Sequence, residues 1–296
     1  MHLQFNRQHL SPAARALAAA ILLAGTAWPA LANRIEKHFP VDGRPVVTVK
    51  NSNGRVEVKS WNKPEVMVVG NQIGKSAEVD TEQAGSRIEV ITRMLTESAR
   101  AADMLVDFQI FVPEETQLTV RTDSGTIVVE SVHGDLTFDT IAADINLKGV
   151  GGAVEVTTAD GSIVCSMCDG HSFKAESVRG SIQLIQPIMD KIQVHTTAGN
   201  ILFDGDFLRR GVYIFKSDTG NTEVRFGLAS SFDLTARSER GSVISQANLQ
   251  PDKHGGHKIA IPKFGKAIAG TIGSGNAKVE LSSFSGTIKI LQRDVQ

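Results

Sequence analysis

The sequence contains two cysteines, Cys165 and Cys168, with a C-x-x-C spacing that can support several kinds of chemistry. In an oxidising compartment such a pair can form a disulfide, act as a redox couple or supply half of a metal site. A redox couple needs an exposed thiol with a lowered pKa, usually at a helix N-terminus, and no such element is predicted here. In the repeat described below, Cys165 falls at slot twelve and Cys168 at slot fifteen, which are both inward positions. The leading interpretation is therefore inward packing, either as two buried thiols or as a structural disulfide.

A second candidate is the segment His254-Gly255-Gly256-His257, with Asp252 close by. Two imidazoles and a carboxylate can contact a metal ion, but a structural zinc site usually takes four ligands. Histidines on a loop rich in proline and glycine are more typical of a solvated surface. The sequence predicts no metal site and no bound cofactor.

Carboxylates could also pair across neighbouring units of a repeat. Asp139 and Glu176 occupy the same position of units that are two apart, so stacking at about 4.8 Å per layer would place them roughly 10 Å apart. Such a distance is compatible with an inverting glycosidase. The complete set at that position mixes charges, however: Arg121, Asp139, Thr157, Glu176, His195, Lys216 and Arg237. A solvated face is the simpler reading, and we predict no catalytic residues.

These residues are positioned by a repeat that recurs every 18 to 21 residues from Leu118 onward. Slots one and three of the repeat are apolar, slot five is a small hydroxyl, slots ten and twelve are mostly apolar, and slot eight is glycine except at Ala143. A fixed period of this length is typical of a solenoid. The repeat aligns seven windows: Leu118–Val129, Leu136–Leu147, Val154–Cys165, Phe173–Leu184, Ile192–Phe203, Tyr213–Val224 and Leu234–Ser245.

Because side chains alternate along a strand, slots one, three and five point inward together. The hydroxyl column is then expected to form a buried ladder, since buried hydroxyls need partners; its first members are Thr122, Thr140, Thr158 and Ser177. We expect the turn glycines Gly161 and Gly199 to have positive φ, and Ala143 to keep a negative φ. A third inward residue at slot fifteen (Val132, Val150, Cys168) predicts that some coils have three sides.

The pattern also appears outside the seven windows, at Val47–Val58 and Val279–Ile290. Three β-type segments near the N-terminus, Glu65–Val69, Arg87–Thr92 and Met104–Val112, lack a clear register. The predicted fold class is therefore all-β: a single-stranded β-helix or solenoid with repeats over 118–296 and an irregular N-terminal β cap over 33–117, forming one continuous elongated domain. An antiparallel sandwich with regular hairpins is the alternative.

The first 32 residues are predicted to be a cleavable signal peptide. Arg7 and Arg15 supply its positive charge, Ala16–Ala24 is an apolar stretch too short to span a membrane, and Ala30-Leu31-Ala32 fits a cleavage site. A retained anchor is the alternative. No later stretch is long and apolar enough to span a bilayer. We therefore expect an exported protein, periplasmic, on the cell surface or extracellular.

Charge narrows the choice of partners. Without the leader, the chain carries 29 basic and 32 acidic residues, and this balance argues against nucleic acid, which needs a basic surface.

Slot eleven should face outward, yet it holds apolar residues in four of the seven windows: Val128, Val164, Leu202 and Ile244. Isolated apolar residues are common on strands. The alternatives are a docking strip for a partner or a strip covered by the Leu249–His257 loop or the chain's own tail.

Several of these segments resemble a bacterial family of exported, uncharacterised domains labelled "putative adhesin". The units beginning Val120-Arg-Thr-Asp-Ser-Gly and Val156-Thr-Thr-Ala-Asp-Gly, the opening Val47-Thr-Val-Lys-Asn-Ser-Asn-Gly and the closing Gly286-Thr-Ile-Lys-Ile carry the likeness. The resemblance implies an exported β-solenoid without established catalytic residues. We expect a non-enzymatic binding, adhesin-like or scaffolding module of the cell envelope, with an unknown envelope protein or polysaccharide as partner. A carbohydrate-active β-helix enzyme is the alternative.

Overall fold

The protein is described by a computed structural model that covers residues 33–96, 98–251 and 264–293. The described residues belong to one compact unit and form 23 strands and a short 3-10 helix, Ala101–Met104. The strands of the N-terminal part are β1 (Asn33–Pro40), β2 (Val46–Asn51), β3 (Arg55–Trp61), β4 (Glu65–Gln72), β5 (Ala77–Ala84), β6 (Arg87–Met94) and β7 (Val106–Pro113).

Two long strands and eight shorter ones form the central part: β8 (Gln117–Glu130), β9 (His133–Lys148), β10 (Gly151–Thr158), β11 (Ile163–Ser166), β12 (Asp169–Ser177), β13 (Ile182–Ile185), β14 (Ile188–Thr196), β15 (Ile201–Asp204), β16 (Val212–Ser217) and β17 (Thr222–Phe226). The C-terminal strands are β18 (Phe232–Ser238), β19 (Val243–Ser245), β20 (Phe264–Gly265), β21 (Ala267–Ile272), β22 (Ala277–Ser283) and β23 (Ile288–Gln292).

The chain winds in stacked coils, and each coil gives one strand segment to each of two faces. Face A carries slots one to five, and its strands follow one another in space as β5, β6, β2, β8, β9, β10, β12, β14, β16, β22, β18 and β21. Face B carries slots ten to twelve, in the order β1, β4, β7, β3, β8, β9, β11, β13, β15, β17, β23, β19 and β20. The predicted all-β solenoid is confirmed.

Like slots pair with like, as the repeat predicts: Leu118 lies beside Leu136, and Ile127 beside Ile145. Ten parallel layers result, which we number from the N-terminal end: β6/β7, β2/β3, β8, β9, β10/β11, β12/β13, β14/β15, β16/β17, β22/β23 and β18/β19. Apart from the polar slot-five residues and from Thr222 and Ser245, the inward residues of the repeats on both faces are apolar and almost completely buried, and they form one continuous core along the stack.

The order of the layers in space differs from the order of the repeats in the sequence. The closing repeat, β22/β23, is inserted between β16/β17 and β18/β19. At the other end, the supposedly irregular strands β6 and β7 form a regular parallel layer beneath β2/β3. At each end of the stack, spatial order therefore departs from sequence order. Layer β6/β7 is separated from β8, which follows it in sequence, by β2/β3, and layer β18/β19 is separated from β16/β17, which precedes it, by β22/β23.

Antiparallel strands cover both ends of the stack. At the N-terminal end β5 pairs with β6, and β4 pairs with β7 and β1. At the C-terminal end β21 pairs with β18 and β20 pairs with β19. These strands cover parallel layers that would otherwise present unpaired backbone groups to other chains.

The slot-five hydroxyls are buried and hydrogen-bonded, so the predicted ladder is confirmed. Thr140 Oγ1 donates to Thr158 Oγ1 at 2.9 Å. In a later layer, Thr196 Oγ1 accepts from the Gly199 N–H at 3.0 Å and donates to the Gly180 carbonyl of the preceding layer at 3.1 Å. One hydroxyl thus satisfies backbone groups of two successive turns.

The expected reason for the turn glycines is wrong. Neither Gly161 nor Gly199 has a φ in the left-handed region. A Cβ atom added at Gly199 would collide with the Gly180 carbonyl oxygen, and one at Gly161 would collide with the Ala143 carbonyl oxygen. Glycine is required here because successive turns stack too closely to admit a side chain, whereas Ala143 lies within the continuous strand β9 and, as expected, avoids positive φ.

Positive φ does occur at slot eight in two early layers, at Gly54 (122°) and Gly125 (116°). It also occurs at the corner that follows slot twelve. Ser131, Gly149, Met167 and Gln186 occupy this corner in four successive layers, with φ between 50° and 57°. The slot-fifteen residues Val132, Val150 and Cys168 then point into the core with no exposed surface. These coils are three-sided, as predicted.

Aromatic side chains enlarge the core towards the C-terminal end. Phe207 stacks on Phe203 and meets Tyr213 edge to face. The Tyr213 hydroxyl donates to the Met189 carbonyl at 2.8 Å and accepts from the Leu208 N–H at 2.7 Å. Burial raises the pKa of Tyr213 to about 12.

Candidate functional site

The outward side chains of slot eleven form a column along face B. In spatial order from the second layer to the tenth, the column reads Glu57, Val128, Asn146, Val164, Gln183, Leu202, Glu223, Lys289 and Ile244. Five successive members carry no charge. We call these five residues, Val128, Asn146, Val164, Gln183 and Leu202, the face-B track.

The structure therefore keeps three of the four apolar residues of the predicted strip together. Val128, Val164 and Leu202 lie on alternate layers, each half-buried between its neighbours. Ile244 is separated from Leu202 by Glu223 and Lys289, because the closing repeat is inserted between those layers. A shallow concavity of about 570 Å³, lined by Leu202, Glu223, Ile244 and Lys289 among others, continues the track towards the C-terminal end.

The two amides of the track are available to a ligand. Asn146 is exposed and Gln183 is half-buried, and neither side chain hydrogen-bonds to any residue that the structure describes. An amide offers two donors and an acceptor oxygen. Each can therefore bind polar groups placed above the sheet.

The amides of slot nine, by contrast, are used within the protein. Asn200 Oδ1 accepts from the Asn221 N–H at 2.9 Å, and Asn221 Oδ1 accepts from the Thr287 N–H at 2.9 Å. In an earlier layer, Asp144 Oδ1 accepts from the Ser162 N–H at 2.8 Å. Sequence reasoning missed this polar ladder, although its signal is present as a slot-nine column of Asp, Ser, Asn and Thr.

Charged residues bracket the track at both ends. Before it, Lys59 Nζ lies 2.7 Å from Glu57 Oε1 and 3.4 Å from Glu130 Oε2. The Lys59 ammonium lowers the pKa of Glu57, and Glu57 raises that of Lys59, in each case mainly through their hydrogen bond. After the track, Arg225 Nε donates to Glu223 Oε1 at 2.7 Å. These paired charges mark the two ends of the uncharged slot-eleven column.

Face A has no comparable uncharged column in its middle layers. Lys174 Nζ lies 3.0 Å from Glu155 Oε1 and 3.2 Å from Glu176 Oε1, and these hydrogen bonds raise the pKa of Lys174. Asp139 Oδ2 lies 4.0 Å from Arg121 Nε. The two carboxylates considered for glycosidase chemistry, Asp139 and Glu176, are separated by the Thr157 layer, and each is beside a cation.

The structure joins Cys165 and Cys168 in a disulfide. Both side chains are buried in the core, and the bond spans the corner formed by Met167.

The candidate segment His254–His257 and Asp252 lie outside the described residues. Within the described ranges, no group of three or more His, Cys, Asp or Glu side chains could hold a metal ion, and no helix is long and apolar enough to cross a membrane.

A stack of parallel coils closed by antiparallel strands defines an all-β solenoid protein. Residues 41–291 match the family described as Toastrack DUF4097, and the chain belongs to this family. The resemblance to an uncharacterised β-solenoid family is thereby confirmed. No curated protein matches the chain.

Several solved structures are similar to the chain. One is a putative cell adhesion protein from Clostridium sporogenes ATCC 15579, with 10% identity, 88% of this chain and 100% of that chain covered, and a TM-score of 0.27. Another is a putative adhesin from Bacteroides fragilis NCTC 9343 (9% identity, 86% and 96% covered, TM-score 0.47). A third is a putative lipid binding protein from Parabacteroides distasonis ATCC 8503 (11%, 88% and 97%, TM-score 0.42). At these values, none of them indicates what this chain binds.

Proposed function

We propose that the protein is an exported, non-enzymatic module that uses face B to bind or scaffold a partner in the cell envelope, in the periplasm or at the cell surface. The observation that carries this proposal is the face-B track. It is an uncharged column of five layers whose two amides have no hydrogen-bond partner among the described residues. Polar groups without partners beside exposed aliphatic side chains on a regular sheet surface are what a docking surface requires.

Two features support export. The leader has the charge, apolar length and cleavage site of a signal peptide. The Cys165–Cys168 disulfide suits an oxidising compartment, because cytosolic thiols are generally kept reduced.

The distribution of carboxylates supports a role without catalysis. A glycosidase needs two carboxyl groups that converge on one bond. On face A, Glu176 shares Lys174 with Glu155, and Asp139 lies beside Arg121. Side chains engaged in this way balance the charge of the surface, and they do not converge on a common point.

Cell fractionation tests the location. When the full chain is expressed with its leader in a bacterial host, we expect the protein in the periplasmic or surface fraction, with Asn33 as its first residue. Retention in the cytoplasm with the leader intact would contradict export.

Co-sedimentation with the host's envelope fraction tests the binding role. The triple variant Val128→Gln, Val164→Gln and Leu202→Gln should melt as the unsubstituted protein does but lose co-sedimentation. A matched triple variant on face A, Thr119→Gln, Thr137→Gln and Thr157→Gln, should retain it. Equal binding of both variants would contradict the assignment of face B, and a lowered melting temperature of the face-B variant alone would show that the track is part of the core.

A further inference from the structure

We propose that the face-B track binds an uncharged, β-1,4-linked glycan that lies along the solenoid axis with one pyranose ring on each layer. This inference rests on the proposed function and names the ligand class of the same surface. Four properties of the track lead to it: its size, its charge, its period and the state of its backbone.

The size of the track favours a narrow ligand over a folded partner. Five layers span about 19 Å along the axis at the usual strand spacing. The outward positions from slot nine to slot thirteen span about 13 Å along a strand, which gives about 250 Å². A stable protein interface takes about 800 Å² from each partner. This area includes the charged slot-nine and slot-thirteen residues Asp144, Glu130, Lys148 and Asp204 beside the uncharged column. It is too small by itself for a second copy of this chain, and it suits a narrow, chain-like ligand.

The charge of the track excludes a polyanion. None of its five residues is charged, and the nearest slot-eleven residues at its two ends are the carboxylates Glu57 and Glu223. These two carboxylates are paired with Lys59 and Arg225, and the slot-thirteen residues beside the track are Glu130, Lys148, Ser166, Ile185 and Asp204. One lysine between two carboxylates is not the basic surface that binds an anionic polysaccharide or a nucleic acid. A neutral polymer does not need such a surface.

The period of the track matches an alternating polymer. Aliphatic side chains recur at every second layer, and the amides Asn146 and Gln183 fill the layers between them. In a β-1,4-linked pyranose chain, successive rings are flipped, so the chain repeats with each disaccharide. Stacked along the axis, its apolar C–H faces can contact Val128, Val164 and Leu202, while ring hydroxyls or N-acetyl groups hydrogen-bond to the amides.

The backbone of the track cannot bind an extended peptide by strand addition. That mode of recognition needs an exposed sheet edge. The strands that carry the track are interior strands: β11, for example, is hydrogen-bonded to β9 on one side and β13 on the other. The recognition must therefore come from side chains, which favours a ligand rich in hydroxyl groups.

Isothermal titration calorimetry of the purified protein with defined oligosaccharides tests the proposal. The probes are the pentamers of β-1,4-linked N-acetylglucosamine and β-1,4-linked glucose, their dimers, and the α-1,4-linked glucose pentamer. We expect at least one β-linked pentamer to bind at least tenfold more tightly than its dimer and than the α-linked pentamer. The double variant Asn146→Ala and Gln183→Ala should weaken that binding at least tenfold.

Gln193→Ala is the matched control, because Gln193 is a half-buried outward glutamine on face A; its affinity should equal that of the unsubstituted protein. Absence of binding by both β-linked pentamers at millimolar concentration would overturn the proposal, as would equal affinity for pentamer and dimer. If the oligosaccharides fail while the face-B triple variant still loses co-sedimentation, the binding role remains and the ligand class proposed here is wrong.

Discussion

Faces A and B are built on the same coils, yet their outward surfaces are chemically different. In the middle layers of face A, charged side chains neutralise one another across layers, as Lys174 does between Glu155 and Glu176. In the corresponding layers of face B, the slot-eleven side chains are aliphatic groups and amides, and both amides lack a hydrogen-bond partner among the described residues. Packing explains the inward residues of both faces, but it does not explain why their outward residues differ. That difference therefore indicates which face has a binding role.

The two faces depend on one shared turn, and this gives the largest expected effect. Gly199→Val should destabilise the protein by about 3 kcal/mol or more, because its side chain would collide with the Gly180 carbonyl and force the layers apart. Because both faces share this turn, we expect thermal denaturation to show one transition at a lower melting temperature. Ala143→Gly, at the equivalent position of β9, is the control and should change the unfolding free energy by no more than about 1 kcal/mol. A Gly199→Val protein with unchanged stability would contradict the close stacking of the turns.

Two neighbouring threonines of one face-A strand allow the effect of an inward residue to be compared with that of an outward one. Thr158→Val removes the acceptor of the Thr140 hydroxyl and should cost about 1–3 kcal/mol. Thr157→Val changes the adjacent exposed side chain in the same way and should stay within about 0.5 kcal/mol. Chemical denaturation of the two variants provides the comparison, and equal effects would show that slot five is not buried as described.

A smaller effect concerns pH, because one inward residue of face A is ionisable. The folded protein holds the proton of Tyr213 more tightly than the unfolded chain does, since burial raises its pKa from 10 to about 12. Its contribution to stability should be fully present below pH 10 and should be lost as the pH rises towards 12. Melting temperatures between pH 9 and 12 should fall less steeply for Tyr213→Phe than for the unsubstituted protein. Identical slopes would contradict the burial of the neutral phenol.

The column assignments followed from the sequence because each slot imposes one physical demand. Slot five needs a hydroxyl that serves two turns, as Thr196 does, and slots one and three need apolar side chains for the core. At slot eight the predicted reason was wrong. We expected a positive φ at Gly161 and Gly199, whereas glycine is needed there because the backbones of successive turns approach closely. A glycine in the sequence does not by itself show whether it is needed for a positive φ or for close backbone approach.

The order of the layers did not follow from the sequence. Because every unit presents the same inward pattern, any unit can stack on any other, and the position of β22/β23 between β16/β17 and β18/β19 is decided by contacts that the repeat does not encode. Part of the candidate site depended on this order. Val128, Val164 and Leu202 could be grouped from consecutive repeats, but the separation of Ile244 by Lys289 required the layer order.

Hydroxyl-radical footprinting can show, without altering the protein, whether face B or face A meets the partner. Side-chain oxidation is quantified by mass spectrometry with and without soluble material released from the cell envelope. If face B meets the partner, oxidation of Leu202 and Val128 falls when the material is added, while oxidation of Val212 and Ile214, outward on face A, stays the same. Protection of Val212 and Ile214 with no change at Leu202 would contradict the proposed role of face B.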